Sequence, residues 1–389
     1  MRKIYFDHAS AYPVDSRVLE AMSEYYSTWI GNPSSVHSFG VEARKSIGKA
    51  RESLIRLIGA SDPEEIIFTS VATEANNLAL IGYSTRNRRK GTKIITSSIE
   101  HMSVMNPCKY LQKLGFKVTY LPVDREGFID IGRLEEEITQ DTILVSIAYA
   151  NGEIGTIQPM REIGKITREK EVVLHADATA ACGKIPLDVQ DDNIDMMTVS
   201  SNDIYGPKGV GALYMRRGVT VAPLVLGGGQ ERGYRSGSEN VPGIVGMGRA
   251  AEIAVEEMED EGKKLKAFRD KLISTVLSEI GGSYLNGHPK KRLPNNANLR
   301  FDYIEGEALI LSLDMVGVAA SSSSACTSKT LEPSHVLIAI GIPPAEAQGS
   351  LLLTLGKSNT EEEVDYVLRE LPGIVKRLRE MSPLTPGGV

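Results

Sequence analysis

The chain has 389 residues, of which 41% are hydrophobic and 24% charged, a balance typical of a soluble globular protein rather than of a disordered or fibrous chain. Its length exceeds what one hydrophobic core usually organises, so we expect a large domain with a smaller one. The net charge of −6 excludes nucleic-acid binding through a broad basic surface, and no apolar stretch approaches the ~18 residues of a membrane-spanning helix.

The first part of the chain alternates short apolar strands with helices. The predicted strands are Ile66–Thr69, Lys93–Ser97, Lys117–Pro122, Thr142–Ile147 and Val172–Ala176. The predicted helices are Glu42–Ile58, one that begins at Thr73, Met102–Leu114 and Met160–Arg168. Strands that alternate with helices imply a mostly parallel sheet covered on both faces. We therefore predict an α/β fold.

The second part of the chain follows a glycine-rich segment, residues 227–237. A long amphipathic helix is predicted from Ile244 to Arg269, and we interpret it as the link between two domains. Beyond it, strands are predicted at Asn298–Phe301, Ser312–Val318 and Ser350–Leu355. We expect a large domain at residues 15–259 and a small α/β domain formed by residues 1–14 together with 260–389.

Two strand ends of the predicted sheet carry candidate binding residues. The turn from Ser70 to Thr73 leads from a strand into a helix, where free backbone N–H groups favour a phosphate, although most such turns only cap their helix. His175 and Asp177 share one face of a strand, so a metal pair is conceivable, but a hydrogen-bonded core histidine is the simpler interpretation of His175. Asp177 is costly to bury unless a cationic group faces it.

The three cysteines differ in their surroundings. Cys326 lies in a run of Ser, Ala and Thr that is too polar for a core, so it is a candidate nucleophile, sulfur carrier or metal ligand, with an accidental surface thiol as the alternative. Cys108 and Cys182 lie among apolar residues and are predicted to be inert core residues. No CxxC pair is present, so no disulfide framework is indicated, and the reducing cytoplasm is the expected location.

Short motifs along the chain occur in an order that is typical of one enzyme family. They are Gly31–Ser35, Thr73–Asn77, Glu153–Thr156, Ile204–Gly209, Arg235–Ser238, Leu293–Asn296, Ser324–Cys326 and Leu331–His335. Together they make the chain similar to the NifS/IscS group of cysteine desulfurases, within the fold-type I pyridoxal-phosphate enzymes. This resemblance implies a homodimer of subunits with the fold-type I transferase fold: a large cofactor domain, whose mostly parallel sheet is covered by helices, and a smaller α/β domain.

The resemblance also implies roles for individual residues around pyridoxal phosphate. Asp177 would face the pyridine nitrogen, His101 would stack on the ring and Asn151 would approach the phenolic oxygen. The phosphate would be held by Ala72, Thr73 and Ser200, with Ser238 of the partner subunit. Cys326 would take sulfur from the substrate as a persulfide and pass it on.

The chain departs from the family pattern at four positions. Asp203 replaces the lysine that forms the Schiff base with the cofactor, and an aspartate cannot form that bond. Leu352 replaces the arginine that binds the substrate carboxylate, which removes a contact worth roughly 2–3 kcal/mol. Ala180 stands in place of a glutamine, and Val71 in place of a phosphate-loop glycine. Lys208 is an alternative source of an amine, although the family has a lysine there already.

These features predict a desulfurase-like protein of iron–sulfur cluster assembly, with impaired or absent activity on cysteine. It would bind a scaffold protein of the IscU type, and Cys326 would carry sulfur or ligate a shared cluster such as 2Fe–2S. Pyridoxal phosphate would be held without a covalent bond. Two alternatives stay open at this point: an active desulfurase in which Asp203 transfers the proton, and a structural relic without activity.

Overall fold

The computed structural model describes residues 3–322 and 333–383. Its helices are α1 (Ser16–Ser27), α2 (Ser38–Ile58), α3 (Ala72–Asn77), α4 (Tyr83–Asn87), α5 (Met102–Lys113), α6 (Ile131–Glu137), α7 (Met160–Glu169), α8 (Val241–Glu279), α9 (Gly306–Met315), α10 (His335–Ala339), α11 (Pro344–Ala347) and α12 (Glu361–Met381). Its strands are β1 (Ile4–Tyr5), β2 (Ile66–Thr69), β3 (Lys93–Ser97), β4 (Lys117–Leu121), β5 (Thr142–Ala148), β6 (Val173–Asp177), β7 (Met196–Ser200), β8 (Gly211–Met215), β9 (Ser283–Leu285), β10 (Asn296–Phe301), β11 (Val318–Ala319) and β12 (Ser350–Thr354). In the described ranges, no helix combines the length and apolarity needed to cross a membrane.

A seven-stranded sheet with the order β2-β8-β7-β6-β5-β3-β4 forms the centre of the larger unit. The neighbouring strands β7, β6, β5, β3 and β4 pair in parallel. Strand β8 runs antiparallel to both of its neighbours, β2 and β7. Aliphatic residues fill the inner strands, as at Ile94, Ile95, Leu144 and Val145, all of which are fully buried. Strands that are apolar on both faces require cover on both sides. The predicted α/β fold with a mostly parallel sheet is confirmed.

The long helices α1, α2 and α8 pack together over one face of this sheet. The close crossing of α2 and α8 depends on Gly248, because a Cβ there would lie 2.6 Å from the Cα of Ala50. Residues of α3 and α5, such as Ala75 and Leu111, form a second core on the opposite face. The strand ends between these two helical layers therefore stay open to ligands.

A separate hydrophobic core lies in the smaller unit. It combines the antiparallel sheet β12-β10-β9 and the parallel pair β1-β11 with α9, α12 and the C-terminal half of α8. Within α8, Ile253 is the last buried residue of the first core and Leu265 the first of the second. The helix thus runs through both cores, while the division into domains with boundaries at residues 14/15 and 259/260 stays a prediction.

The strand predicted at Ser312–Val318 is wrong, because most of this segment is helical. Helix α9 ends at Met315, and only Val318 and Ala319 form a strand, β11. Leu309 and Leu313, four residues apart, are fully buried on one helical face, and this spacing is the period of a helix. Gly317 follows the helix at φ +82°, which is the usual way to end one.

Candidate active site

A cavity of about 450 Å³ opens where several strands of the seven-stranded sheet end. Ala148, Asp177 and Ser200, the last residues of β5, β6 and β7, all line it. Residues of the smaller unit, such as Leu352 and Thr354 in β12, complete its wall. The carboxyl ends of parallel strands are the usual ligand site of such sheets, and the volume suits a small organic molecule.

Asp177 is held rigidly at the end of β6. Its side chain is only 6% exposed. One carboxylate oxygen accepts a hydrogen bond from the Asn76 amide at 2.7 Å, and the other accepts one from the Thr179 backbone N–H at 3.0 Å. Two donors on one carboxylate fix its orientation and offset part of the free-energy cost of its burial.

His101 is joined to Asp177 through a short chain of hydrogen bonds. The amide of Asn76, which binds Asp177, also donates to the Ser103 hydroxyl at 2.7 Å. This hydroxyl lies 2.7 Å from His101 Nδ1, and the Ser103 backbone N–H donates to the same nitrogen at 3.1 Å. Because Nδ1 accepts, the hydrogen of the neutral imidazole lies on Nε2. The ring is thereby fixed at the start of α5, with its side chain exposed to the cavity.

Asn151 both shapes and lines the cavity. Its side-chain oxygen accepts from the backbone N–H groups of Glu153 and Ile154, each at 2.9 Å, and its nitrogen donates to the Ile99 carbonyl at 2.8 Å. An amide nitrogen carries two hydrogens, so one remains for a ligand.

Asp203 lies in a 3₁₀ turn, Asn202–Ile204, directly after β7, and lines the same cavity. Burial raises the pKa of its carboxyl above the usual value. The ammonium group of Lys184 donates to the backbone carbonyl of Asp203 at 2.5 Å and lies 4.3 Å from the centre of the Tyr12 ring. Burial lowers the pKa of Lys184, which is 5% exposed and is not part of the cavity lining.

The charged side chains in the described lining of the cavity are all acidic. Glu100, Glu153, Asp177 and Asp203 line it, whereas no Lys or Arg does so among the residues 3–322 and 333–383. Burial raises the pKa of Glu100 to about 8, so this side chain is largely neutral at pH 7. Lys208, the alternative amine, is exposed, donates to the Tyr12 carbonyl at 3.2 Å and is absent from this lining.

The four departures from the family pattern meet in this cavity. Val71, Ala180, Asp203 and Leu352 all line it. Leu352 is 5% exposed, and its backbone N–H donates to Ser321 at 2.7 Å. An apolar side chain therefore occupies the wall where the resemblance implies a carboxylate-binding arginine.

The lining fits a planar ligand with polar groups at its edge. Glu100 Oε2, Thr179 Oγ1 and Asn295 Oδ1 are buried and lack a protein partner in the described structure. Buried polar atoms without partners mark places for a ligand or a bound water. Together with Asp177, His101 and the second hydrogen of Asn151, they fit pyridoxal phosphate.

The remaining predicted site residues fall into three groups. Ala72, Thr73 and Ser200 line the cavity. Ser238 lies in a second cavity beside Asn32, so its contribution from a partner subunit stays a prediction. Cys326 lies outside the described residues, but Ser322 before it and Ser334 after it both line the first cavity.

Other predictions about single residues have clear outcomes. His175 is fully buried and lies 2.9 Å from the Ser146 hydroxyl and 3.1 Å from that of Thr198, which confirms a hydrogen-bonded core histidine. Cys108 and Cys182 are fully buried, and burial raises the pKa of both thiols to about 12, so their inert core placement is confirmed.

Sequence reasoning missed three residues at the site: Tyr12, Glu100 and Lys184. Glu100 had a weak signal, since it directly precedes His101 in a strand-to-helix turn. Tyr12 and Lys184 had none, because Tyr12 reaches Asn202 from the start of the chain and Lys184 reaches the Asp203 carbonyl from outside any recognisable motif.

The chain has well-defined relatives. Residues 4–367 match the aminotransferase class-V family. The chain is 59% identical over 380 residues to a protein of Archaeoglobus fulgidus named cysteine desulfurase IscS 1, covering 98% of this chain and 99% of that one. It is 49% identical over 385 residues to the cysteine desulfurase IscS of Methanosarcina thermophila, covering 99% and 95%. A solved structure named NifS-like protein superimposes with a TM-score of 0.91 at 42% identity, covering 97% of this chain and 100% of the other. The chain therefore belongs to the aminotransferase class-V family and, within it, to the IscS/NifS group of cysteine desulfurases.

Proposed function

We propose that this protein serves iron–sulfur cluster assembly in the cytoplasm, with Cys326 as sulfur carrier or cluster ligand, and that its pyridoxal-phosphate-dependent desulfurase activity is impaired or absent. The desulfurase names of its relatives support the general role. The observation that carries the finer proposal is the presence of Asp203 and Leu352 in the wall of one cavity that no Lys or Arg lines among the described residues.

The two substitutions affect separate parts of the family's reaction. A carboxylate at position 203 supplies no amine to bond the cofactor or to carry a proton from the substrate Cα as a lysine would. A leucine at position 352 gives the substrate carboxylate neither charge nor donor, while Glu153, Asp177 and Asp203 repel it. Binding and chemistry are therefore both weakened.

The cofactor-binding part of the cavity supports retention of pyridoxal phosphate without a covalent bond. When bound, this cofactor supplies an electron sink for the bonds around a substrate Cα. Asp177 would hold a proton at the pyridine nitrogen, His101 would cover one face of the ring, and Asn151 would donate to the phenolic oxygen. Ala72, Thr73 and Ser200 would bind the phosphate, with Ser238 of the partner subunit in a homodimer.

Cys326 is tethered close to the cavity. Three residues lie between it and Ser322, which lines the cavity, so the four residue steps that join them span at most about 14 Å. A thiolate on such a tether has two options: to take sulfur near the cavity, or to enter the coordination shell of a cluster on a scaffold protein of the IscU type. If cysteine is not turned over, inorganic sulfide supplies the sulfur of the cluster directly and without a change of oxidation state, and Cys326 then acts as a cluster ligand and not as a sulfur carrier.

The first test is mass spectrometry of Cys326 after incubation of the purified protein with pyridoxal phosphate and L-cysteine. We expect no persulfide in the wild type or in Cys326→Ser. In an anaerobic reaction with sulfide, iron and the scaffold protein, we expect cluster formation to depend on Cys326, with Cys108→Ser as a control for loss of a thiol elsewhere. Cluster formation that is unchanged in Cys326→Ala would falsify the proposed role of this cysteine.

The second candidate is an active desulfurase with non-covalent pyridoxal phosphate. Burial raises the pKa of the Asp203 carboxyl, and this favours the second candidate, because a carboxylate with a raised pKa is a stronger base for proton transfer. This candidate predicts a cofactor-dependent persulfide on Cys326, with turnover of L-cysteine that Asp203→Asn abolishes. Persulfide formation that needs both additions would decide for this second function.

A further inference from the structure

We propose that β4, an edge strand of the seven-stranded sheet, is a docking site for an extended segment of a partner protein, and that this segment carries acidic side chains at alternate positions. The segment pairs with β4 through backbone hydrogen bonds. The surface lies outside the cavity, so the proposal holds whether or not the chain acts on cysteine. No covalent bond is made or broken.

The first observation is a set of free backbone groups along β4. The sheet ends at this strand, so only β3 pairs with it. The Lys117 N–H donates to the Thr92 carbonyl at 2.9 Å, which means that the odd-numbered residues of β4 bond to β3. The N–H and C=O groups of Val118 and Tyr120 therefore point away from the sheet, and no group in the described structure bonds to them. An added strand can use all four.

The other edge of the same sheet, β2, is closed by side chains. Arg51 and Arg232 donate to the Ile66 carbonyl, at 2.5 and 2.9 Å. The Phe68 N–H donates to a carboxylate oxygen of Glu231 at 2.9 Å. Edge strands that are covered in this way resist pairing with another chain. Among the described residues β4 has no such cover, so it is the edge that accepts a strand.

The charge beside β4 favours an acidic segment. Helix α5 packs against β4, and the Tyr120 hydroxyl donates to Gln112 Oε1 at 3.3 Å. Lys109 and Lys113 share one exposed face of this helix and form no ion pair in the described structure. Arg88 donates to the carbonyl that follows α5 at 2.9 Å. In a chain with a net charge of −6, these cations form a local positive surface.

The alternation of side chains along a strand determines where the acidic residues lie. Successive side chains of an added strand point to opposite faces of the sheet. Helix α5, with its lysines, covers one face beside β4. Helix α6 covers the other face and carries three consecutive glutamates, residues 135–137. Acidic side chains at alternate positions meet the lysines and avoid the glutamates, whereas a uniformly acidic segment is repelled on one face.

A second copy of this chain does not fit this edge. Two β4 strands that paired in one continuous antiparallel sheet would bring Lys109 and Lys113 of both copies to the same face. Like charges on neighbouring strands are destabilising. A partner with acidic residues has no such cost.

The position of β4 gives the docking site a purpose. The strand ends at Leu121, whose carbonyl accepts from the Ser98 N–H at 2.9 Å. Ile99, the next residue, lines the cavity. A partner that pairs with β4 is therefore held beside the cavity, where the reacting groups of this chain lie.

The test is fluorescence anisotropy at pH 7.5 with the full-length protein and a labelled seven-residue peptide that has blocked ends, Glu at odd positions and Thr at even positions. We expect saturable binding with a Kd below about 1 mM. Two further peptides carry N-methyl groups on either the Glu or the Thr nitrogens. One of them should bind at least about tenfold more weakly: the first if the added strand is antiparallel to β4, the second if it is parallel.

Two variants separate backbone pairing from charge. Val118→Pro removes an N–H that points away from β3, so it leaves the bonds of the sheet intact and should weaken binding about tenfold. Lys113→Glu should weaken binding about 3- to 10-fold at low salt. Lys376→Glu, the same change of charge at an exposed lysine of α12, is the matched control and should leave the Kd unchanged. Thermal unfolding shows whether each variant is folded.

Four results would overturn the proposal. The first is no saturable binding of the unmodified peptide below about 1 mM. The second is equal binding of all three peptides, which would mean charge attraction without strand pairing; this comparison needs no variant to fold. The third is an equal loss in Lys376→Glu and Lys113→Glu. The fourth is tighter binding of an all-Glu peptide or of a single-stranded oligonucleotide, which would mean a site for polyanions.

Discussion

Two walls of one cavity differ in how their side chains are supported. The strand-end wall, formed by Asp177, His101 and Asn151, is tied together by hydrogen bonds of 2.7–3.1 Å. Asp203, just after β7, and Leu352, in β12, are the changed wall, which presents an acid without an ion pair in the described structure and an apolar side chain. The difference indicates that the side chains assigned to the cofactor ring keep their hydrogen-bonded support, whereas the positions assigned to the Schiff base and to the substrate carboxylate are substituted.

The largest effect is expected from Asp203→Lys, which gives the changed wall an amine. Lys184 in contact with the same turn would lower the pKa of the introduced amine and favour its neutral, nucleophilic form. Borohydride reduction in the presence of pyridoxal phosphate should then attach the cofactor to residue 203, as seen by peptide mass spectrometry. The wild type should show no modified lysine; labelling of Lys208 there would contradict the separation of the two walls.

The next effect is expected from Leu352→Arg, which introduces a cation opposite the carboxylates of the wall. A desolvated contact with a carboxylate is worth about 1.5–3 kcal/mol, so the Kd of L-cysteine should fall by about 10- to 100-fold. Titration calorimetry of the protein loaded with cofactor measures it, with Leu352→Met as a control of similar volume. Because Leu352 is 5% exposed, thermal unfolding of both variants is compared as well. An equal Kd in the two variants would mean that this position does not face the substrate carboxylate.

A smaller effect is expected at Glu100, beside the strand-end wall. One carboxylate oxygen accepts from the Ser97 hydroxyl at 2.6 Å and from the Ala148 N–H at 3.0 Å, while burial raises the pKa to about 8. The folded state thus binds more protons than the unfolded state between about pH 4.5 and 8, so this group makes the free energy of unfolding fall as pH rises through that window. Glu100→Gln should remove this dependence of the free energy of unfolding on pH. It should also raise that free energy by about 1–3 kcal/mol at pH 7.5.

The measurement for Glu100 is urea unfolding of both proteins at pH 5.5 and 7.5. Glu153→Gln, on the same cavity, is the matched control and should keep the slope of the wild type. Parallel pH profiles for the wild type and Glu100→Gln would show that Glu100 is ionised in the folded protein at neutral pH.

Much of the fold could be predicted because the strands are continuous apolar runs bounded by polar residues. Predicted and observed bounds agree for β2 and β3, and β5 begins at the predicted residue, Thr142. β7 and β8 were not predicted, since short apolar segments such as Met196–Ser200 have no periodicity that separates strand from helix. The same ambiguity explains the error at Ser312–Val318.

The cavity could be anticipated only in part. Asp177 and Ser200 end strands of the sheet, so the topology alone brings them to one edge. Asp203 follows β7 in the larger unit, whereas Leu352 reaches the cavity through the path of the smaller unit, which no local pattern encodes. The contact of Lys184 with Tyr12 joins segments more than a hundred residues apart and could not be predicted from either.

Helix α8 constrains how the two units move. It runs without a break for 39 residues, about 58 Å, and belongs to one core up to Ile253 and to the other from Leu265. A change in the width of the gap between the units therefore requires α8 to bend along its length, because the helix contains no flexible hinge. Amide hydrogens between Ile253 and Leu265, where neither core protects the helix, should exchange with solvent faster than those toward either end.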